Sequence, residues 1–508
     1  MKRYLSFKDL LFPYIWIVLG ISLFAFSNGK WIIPFTTWIA PVFIVRFYRI
    51  QKGVKSIGIP LFAIIMCSFI SFKGVTHISG FLEYVVLSGI AVVFIIPFVI
   101  DKVCSDKING FISTLVLPLA GVTFEFLFSL INPYATWGSF AYTQFGNIPL
   151  MQVVSVTGIW GISFLLYWFY SFTNWIWENN LEISKTKTGI IVFSSVFIIV
   201  LTMGGLRSNV LNQENLTVRI ASVSVPHKYL WEDVDPIQMN INYPKNKIDT
   251  VKDKLNSLHD ELIRLTEAEA KAGSKIIMWH ESNALVFKED ESKLIQKVSD
   301  IAKQNNVYIL MGVNTITPGQ QKSENKTVFI DSNGKEEYTY LKSKPTPNEK
   351  AWIVKGDGII KFIDTPYGRI GSAICYDMDF PSFVSQAGKQ GIDIMLVPAS
   401  DWKEIDPMHT RMAVFRAIEN GFSIVRQTQL GLSLSTDYYG NVISSMDYFN
   451  TQDRVMVSHV PIKGIKTVYS VLGDWFAWLC MICLTYLIII KYLLLKWLNK
   501  DKKYVVEQ

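Results

Sequence analysis

The stretch Gly368-Arg369-Ile370-Gly371-Ser372-Ala373-Ile374-Cys375-Tyr376-Asp377 decides how this chain is read. Its apolar positions predict a short strand over 368–374 that delivers a cysteine at its end. Two other predicted strands also end on reactive side chains: 276–279 leads to Glu281, and 336–341 leads to Lys342. Residues at strand ends of an α/β domain converge on one rim. A carboxylate there can take a thiol's proton, and a buried ammonium can hold that carboxylate and stabilise an oxyanion. The backbone N–H of Tyr376 would add a second oxyanion donor. Spacing alone leaves a plainer reading open, in which Cys375 is a small core residue and Lys342 a solvated turn residue.

Outward from this stretch, residues 207–473 alternate apolar strands with amphipathic helices. Strands are predicted at 216–225, 307–313, 392–398 and 423–429. Helices are predicted at 252–272, 293–305, 383–390 and 409–420. Leu255, Leu258, Leu262 and Leu265 share one face of the first helix. Hairpins are predicted around Ser332-Asn333-Gly334, joining 326–331 to 336–341, and around Tyr439-Gly440, joining 432–438 to 441–445. The expected class for this part is α/β.

The rest of the chain has a different composition. Half of the 508 residues are hydrophobic, and the excess lies in 10–206 and 474–498. Eight membrane spans are expected, at 10–27, 31–48, 57–73, 81–100, 111–131, 151–177, 188–206 and 474–497. Ala25-Phe26-Ser27 only faintly resembles a cleavage site, and a second span follows at once, so the first span is read as retained. The domains expected are 1–206, with seven spans, then 207–473, the α/β domain, and 474–508, a closing span and tail.

Positive charge alternates between loops. Lys2, Arg3 and Lys8, then Arg46, Arg49, Lys52 and Lys55, then Lys102 and Lys107, then Lys185 and Lys187, then Lys496, Lys500, Lys502 and Lys503 mark one side. The opposite loops carry Lys30, Lys73 and none between Asn132 and Leu150. This places both termini in the cytoplasm and the α/β domain outside. The net charge of +7 belongs to these flanks and does not point to nucleic acid. Of the five cysteines, Cys67, Cys480 and Cys483 lie in apolar spans and Cys104 in a connecting loop, so Cys375 has no disulfide partner in its own domain.

Two features of the membrane part invite a functional reading. The loop 132–150 carries Tyr134, Trp137, Phe140, Tyr142 and Phe145, which is read first as an interfacial belt and second as a direct substrate contact, the two being compatible. Glu125 lies inside a span, where a carboxylate is costly; a functional role and a helix–helix hydrogen bond are both open.

The local sequences resemble the nitrilase superfamily and, within it, the apolipoprotein N-acyltransferases. The segment Ile276-Ile277-Met278-Trp279-His280-Glu281 resembles the strand leading to that family's catalytic glutamate. Tyr340-Leu341-Lys342 is similar to its Tyr-x-Lys. The stretch 368–377 with Phe380-Pro381 resembles its nucleophile segment, and Arg416-Ala417-Ile418-Glu419-Asn420-Gly421, Gly431 and Ser433 resemble the elements that follow. In the membrane part, Pro118-Leu119-Ala120, Glu125, Trp137-Gly138, Pro149-Leu150-Met151-Gln152 and Thr157–Phe164 resemble the family's bundle, which soluble nitrilases lack.

The resemblance implies an α-β-β-α sandwich after a helical membrane part, with Glu281, Lys342 and Cys375 as catalytic residues. Glu349, Tyr376 and Asp377 are expected as auxiliary residues. It implies acyl transfer from a membrane phospholipid, through a thioester on Cys375, to the α-amino group of a diacylglyceryl-cysteine lipoprotein, in a bacterial cytoplasmic membrane and as a monomer. No cofactor and no metal are expected: His77, His227, His259, His280, His409 and His459 show no metal-ligand spacing. The chain departs from the family pattern at His280, where a small residue or proline is usual, at Asp377, where glutamate is usual, and at Lys344–Glu349, one residue shorter than usual. The altered lid keeps open a membrane-tethered amidase with water as acceptor. A silent lipoprotein-binding scaffold is the non-enzyme alternative, against which an intact triad argues.

Overall fold

The computed structural model describes residues 7–78, 80–105, 108, 110–209, 216–225, 244–452 and 455–489. His227, the flanking charges Lys2, Arg3, Lys107, Lys496, Lys500, Lys502 and Lys503, and the end of the expected eighth span lie outside the described residues. The chain divides into two compact units: Met1–Leu211 with Leu472–Gln508, and Asn212–Val471.

The second unit is an α/β domain on two sheets. Its strands are β1 (Thr217–Val223), β2 (Ile276–Trp279), β3 (Ala284–Phe287), β4 (Tyr308–Ile316), β5 (Glu324–Ile330), β6 (Glu336–Leu341), β7 (Lys361–Thr365), β8 (Gly368–Ser372), β9 (Ile394–Ser400), β10 (Ser423–Gln429), β11 (Leu432–Thr436), β12 (Val442–Asp447) and β13 (Val455–Pro461). The first sheet runs β13-β1-β2-β4-β5-β6, with β3 against β4; the second runs β12-β11-β10-β9-β8-β7.

Side chains that alternate along each strand separate the layers. Ile220, Ile276 and Met278 of the first sheet meet Ile394, Leu396 and Val425 of the second. The intervening Ala221, Val223, Ile277 and Trp279 face helices Lys245–Lys271 and Lys288–Asn305 through Leu258, Leu262 and Val298. On the far side, Met395, Val397 and Ile424 pack with Phe383, Val384 and Ala413 of helices Pro381–Gln390 and Met408–Asn420. The layering is therefore α-β-β-α. The central strands are buried on both faces and read as nearly continuous apolar runs. Each such Val, Leu or Ile contributes about 1.5–3 kcal/mol on burial.

Three strands were not expected from the sequence. β3 has four residues, too few for a periodic signal, and β7, at the edge of its sheet, reads Lys-Phe-Ile-Asp-Thr with no clean alternation. β13 earns its place only by pairing antiparallel with β1, more than two hundred positions earlier. Two helices begin five or more residues earlier than expected: one at Lys288, through a wholly polar turn, and one at Lys245, where Ile248 and Val251 extend the apolar face that Leu255 continues.

In the first unit, three helices among the described residues are long and apolar enough to cross a membrane: Phe81–Ser105, Phe111–Ile131 and Ile183–Asn209. The first of these takes in Cys104, expected in a loop. The continuous span expected over 151–177 is broken. Ile148–Thr157 and Trp160–Glu178 meet at 115° and would count together as a fourth. Gly158 sits at the break with φ +67°, a conformation that ends the helix and suits glycine. Shorter apolar helices occupy Phe12–Phe24, Lys55–Ser71 and Trp475–Ile489, and Pro34–Ile50 has 17 residues. At ~1.5 Å per residue the 17-residue helices Pro34–Ile50 and Lys55–Ser71 fall a little short of ~30 Å of hydrocarbon. Among the described residues, length and composition thus give three or four crossings where hydropathy predicted eight.

The aromatic loop is not a belt. Tyr134, Trp137, Phe140 and Tyr142 are buried within the unit, and Phe140 packs edge-on against Phe24, Phe94 and Tyr167. Glu125 accepts hydrogen bonds from Ser139 Oγ (2.9 Å), Ser163 Oγ (2.7 Å) and Tyr167 OH (3.0 Å). Of the two roles left open for it, the helix–helix hydrogen bond is thus present.

Candidate active site

Glu281 and Lys342 meet in a buried ion pair. Lys342 follows β6 directly and is pinned through its backbone: its N–H donates to Asn325 O, and its carbonyl accepts from Gly356 N–H, both at 2.9 Å. Its Nζ donates to Glu281 Oε1 and to Glu349 Oε1, each at 2.7 Å. Burial alone would favour a neutral amine. The charges of Glu281, Glu349 and Cys375 outweigh it and hold the ammonium well above the usual lysine range.

Glu281 lies just beyond β2, in a turn that needs a close approach to β4. A Cβ at Gly312 would stand 1.9 Å from His280 O, so glycine is required there. Asn325 Nδ2 donates to Glu281 Oε1 at 2.7 Å, and the Ser400 N–H donates to Oε2 at 2.9 Å. His280 is accommodated by a 2.8 Å hydrogen bond between its Nδ1 and Glu281 O.

Cys375 opens a short 3-10 turn, Cys375–Asp379, with two residues between it and the end of β8. Its φ is +48°, strained for a residue with a Cβ, and Ser282 beside Glu281 has φ +54°. Sharp strand-to-helix turns present nucleophiles in this way. The thiol is buried and donates at long range to Ser400 O (3.7 Å) and Asp401 Oδ1 (3.8 Å). Burial pushes it up well above the ordinary thiol range; Glu281 adds to this, Lys342 opposes it, Asp401 adds and Arg426 opposes. The resting group is therefore a thiol, and it needs a base.

The auxiliary residues divide by role. Glu349 reaches Lys342 despite the shortened lid, because its Oε2 accepts from Thr346 N–H at 2.7 Å while its own N–H donates to Thr346 Oγ1 at 3.3 Å. Burial would raise this carboxyl, but Lys342 outweighs it and holds it below the usual range. Asp377 fastens the turn: its Oδ2 accepts from Tyr340 OH (2.6 Å) and Ile374 N–H (2.9 Å), and its Oδ1 from Lys344 N–H (2.6 Å). It ties the Tyr-x-Lys strand and the lid to the cysteine turn, and burial pushes it up to about 6. The Tyr376 ring packs edge-on against Phe380, leaving the backbone as the part of Tyr376 relevant to an oxyanion.

A second cluster went unread in the sequence. Asp401 Oδ1 accepts from His409 Nδ1 (2.7 Å) and Arg426 Nη2 (3.0 Å), and His409 Nε2 donates to both Asp379 oxygens at 3.1 Å. Cys375, Asp401 and His409 offer ligand atoms within 4.8 Å of one another. Both imidazole nitrogens carry protons toward carboxylates, and a guanidinium occupies the same oxygen. That donor set is an ion-pair network and does not fit a metal.

Comparisons with known proteins agree with this architecture. The family model for the apolipoprotein N-acyltransferase N-terminal domain matches residues 4–172, and that for carbon-nitrogen hydrolase matches residues 237–466. Apolipoprotein N-acyltransferase 1 of Treponema denticola is 25% identical, over 92% of this chain and 94% of that protein. The apolipoprotein N-acyltransferase of Geobacter metallireducens is 24% identical over 72% of this chain and 71% of its own, and that of Rickettsia prowazekii 22% over 75% and 76%. The chain thus carries an apolipoprotein N-acyltransferase amino-terminal domain followed by a carbon-nitrogen hydrolase domain, and over most of its length it is similar to the apolipoprotein N-acyltransferases.

Proposed function

We propose that this enzyme moves an acyl chain from a membrane phospholipid to the α-amino group of a diacylglyceryl-cysteine lipoprotein, with Cys375 as the covalent carrier. The observation that carries the catalytic assignment is Lys342 Nζ, held 2.7 Å from both Glu281 and Glu349 beside a strained, buried cysteine. In the first step Glu281 takes the thiol proton while Sγ attacks the phospholipid ester carbonyl. Lys342 and the Tyr376 N–H stabilise the oxyanion. The C–O bond breaks, and the lysophospholipid alkoxide leaves with the proton from Glu281. In the second step the lipoprotein amine attacks the thioester carbonyl, its proton passes to Glu281, and the released thiolate is reprotonated. Splitting one hard transfer into two makes each step easier.

Both substrates are lipid-anchored, so confinement to the membrane raises their effective concentration at the site. The chain would act as a monomer in the cytoplasmic membrane, with no nucleic-acid partner. The shorter apolar helices, added to the three long ones and the bent pair, support an eight-helix membrane part with both termini in the cytoplasm and Asn212–Val471 outside. A single reporter cysteine at Ser332, in the turn between β5 and β6, tests this orientation. An impermeant thiol reagent should label it in intact cells; labelling only after the membrane is breached would overturn it.

Mass spectrometry of lipoproteins from cells with and without the gene tests the reaction. An N-acyl group present only with the gene is expected. Free fatty acid released with no lipoprotein change would favour an amidase-type hydrolysis, and unchanged lipids and lipoproteins a silent scaffold.

A further inference from the structure

The buried groups behind Cys375 are not needed by the steps above, yet they are built with care. His409, Asp401, Asp379 and Arg426 all lie in the interior. Asp401 Oδ1 stands 3.8 Å from Cys375 Sγ. The 2.7 Å separation between His409 Nδ1 and that oxygen requires a proton between two acceptors, and so does the 3.1 Å separation between Nε2 and Asp379. With a proton on each ring nitrogen, the state that two flanking carboxylates favour, His409 is an imidazolium. Burial opposes that charge, but Asp379 and Asp401 outweigh it and push the group up to about 9, with Arg426 working against them. Arg426 Nη2 lies 2.9 Å from His409 Nδ1, so two cationic donors crowd onto one carboxylate oxygen. Arg426 Nε is fixed by Thr410 Oγ1 at 3.0 Å.

Asp401 itself is a poor proton acceptor. Burial would raise its carboxyl, but His409 and Arg426 outweigh it and hold it below the usual range. Its other oxygen, Oδ2, is buried with no hydrogen-bond partner. The sulfur faces Oδ1, the same oxygen that both cations hold. A bare carboxylate at this distance would oppose a developing thiolate, while one neutralised by two cations can orient the thiol without opposing it.

We propose that His409 and Arg426 are positioning residues for the nucleophile: acting as a paired cation, they hold Asp401 beside Cys375 Sγ and cancel its charge there, so that the thiolate can form. The groups that face His409 are Asp379, Asp401 and Arg426; those that face the sulfur are Glu281, Lys342, Asp401 and Arg426. This rests on Cys375 being the nucleophile, but its test needs neither phospholipid nor acceptor.

The test is the rate at which iodoacetamide alkylates Cys375 in the full-length detergent-solubilised protein at pH 7, read on the Cys375 peptide by mass spectrometry. Removing a cation and removing the carboxylate should act in opposite directions. His409→Gln should slow alkylation about tenfold, and Asp401→Asn should speed it about tenfold, the effect of one pKa unit on the thiolate fraction. Arg426→Gln should slow it, and Arg426→Lys should restore it to within about threefold of wild type. The Arg426 pair decides the matter if His409→Gln does not fold. Equal rates in all variants, or a change of the same sign in His409→Gln and Asp401→Asn, would overturn the proposal, because a merely structural network loosens the site whichever member is lost. Normal alkylation without acyl loading would count against the phospholipid reaction alone.

Discussion

Two buried charge clusters flank Cys375, and they are built differently. In one, a single ammonium bridges two carboxylates, Glu281 and Glu349, and Glu349 keeps 15% of its side chain exposed. In the other, two cations and two carboxylates close on themselves, with every side chain at 1% exposure or less. The first carries an excess of negative charge and an opening, as a group that must accept a proton and meet a substrate requires. The second is neutral and sealed. A sealed, balanced network cannot exchange protons with a substrate, but it can fix the field in which the thiol ionises.

Substitutions in the two clusters should therefore differ in kind. Cys375→Ala removes the proposed nucleophile and should abolish acyl transfer in a purified-enzyme assay. Cys375→Ser should be nearly as inactive, since a hydroxyl is far harder to deprotonate. Lys342→Met should slow turnover ~100-fold or more by removing an oxyanion donor. Lys342→Arg should rescue poorly, because a planar guanidinium does not fit between two carboxylates shaped around a compact ammonium. Activity near wild type in Lys342→Met would remove the bridging ammonium from the chemistry.

Glu349→Gln should cost less than Glu281→Gln in the same assay. In the proposed mechanism Glu349 only steadies the ammonium from the lid, whereas Glu281 starts the proton transfer. An equal loss would make Glu349 a proton carrier and erase the asymmetry within the first cluster.

The second cluster should show itself most gently, as pH-dependent stability. The His409 pKa is raised on folding, from 6.5 to about 9. Its contribution is therefore complete below about 6.5 and is lost as pH rises through about 9. The thermal midpoint of the solubilised protein should fall across that window in wild type and fall less in His409→Gln. Identical pH profiles would mean that His409 is not an imidazolium in the fold.

The difference between the clusters also explains what the sequence disclosed. Glu281, Lys342 and Cys375 each follow a strand and sit within a short recognisable run, so their convergence could be read from local patterns. Glu349 was legible for the same reason, and its lid pairing with Thr346 shows why losing one residue does not displace it. Asp379, Asp401, His409 and Arg426 come from four separate elements with no fixed spacing. The one available signal was Arg426, a charge beside Ile424 and Val425 in a strand otherwise suited to the interior. Asp377 was legible as a residue but not as a fastener, because its partners Tyr340 and Lys344 lie across the fold. In the membrane part, hydropathy located the helices but not their ends. The break at Gly158 and the inward fold of the aromatic loop depend on packing that a composition window does not see.

In the proposed mechanism Glu281 deprotonates Cys375 so that the thiol can take an acyl chain. The most direct test of that step is to incubate purified wild type and Glu281→Gln with phospholipid and no acceptor, and to measure the acylated Cys375 peptide by mass spectrometry over time. The account predicts that wild type accumulates the thioester and that Glu281→Gln does not load within the same period. Loading by Glu281→Gln at the wild-type rate would contradict it and pass the base's role to Glu349, the remaining carboxylate on the Lys342 ammonium.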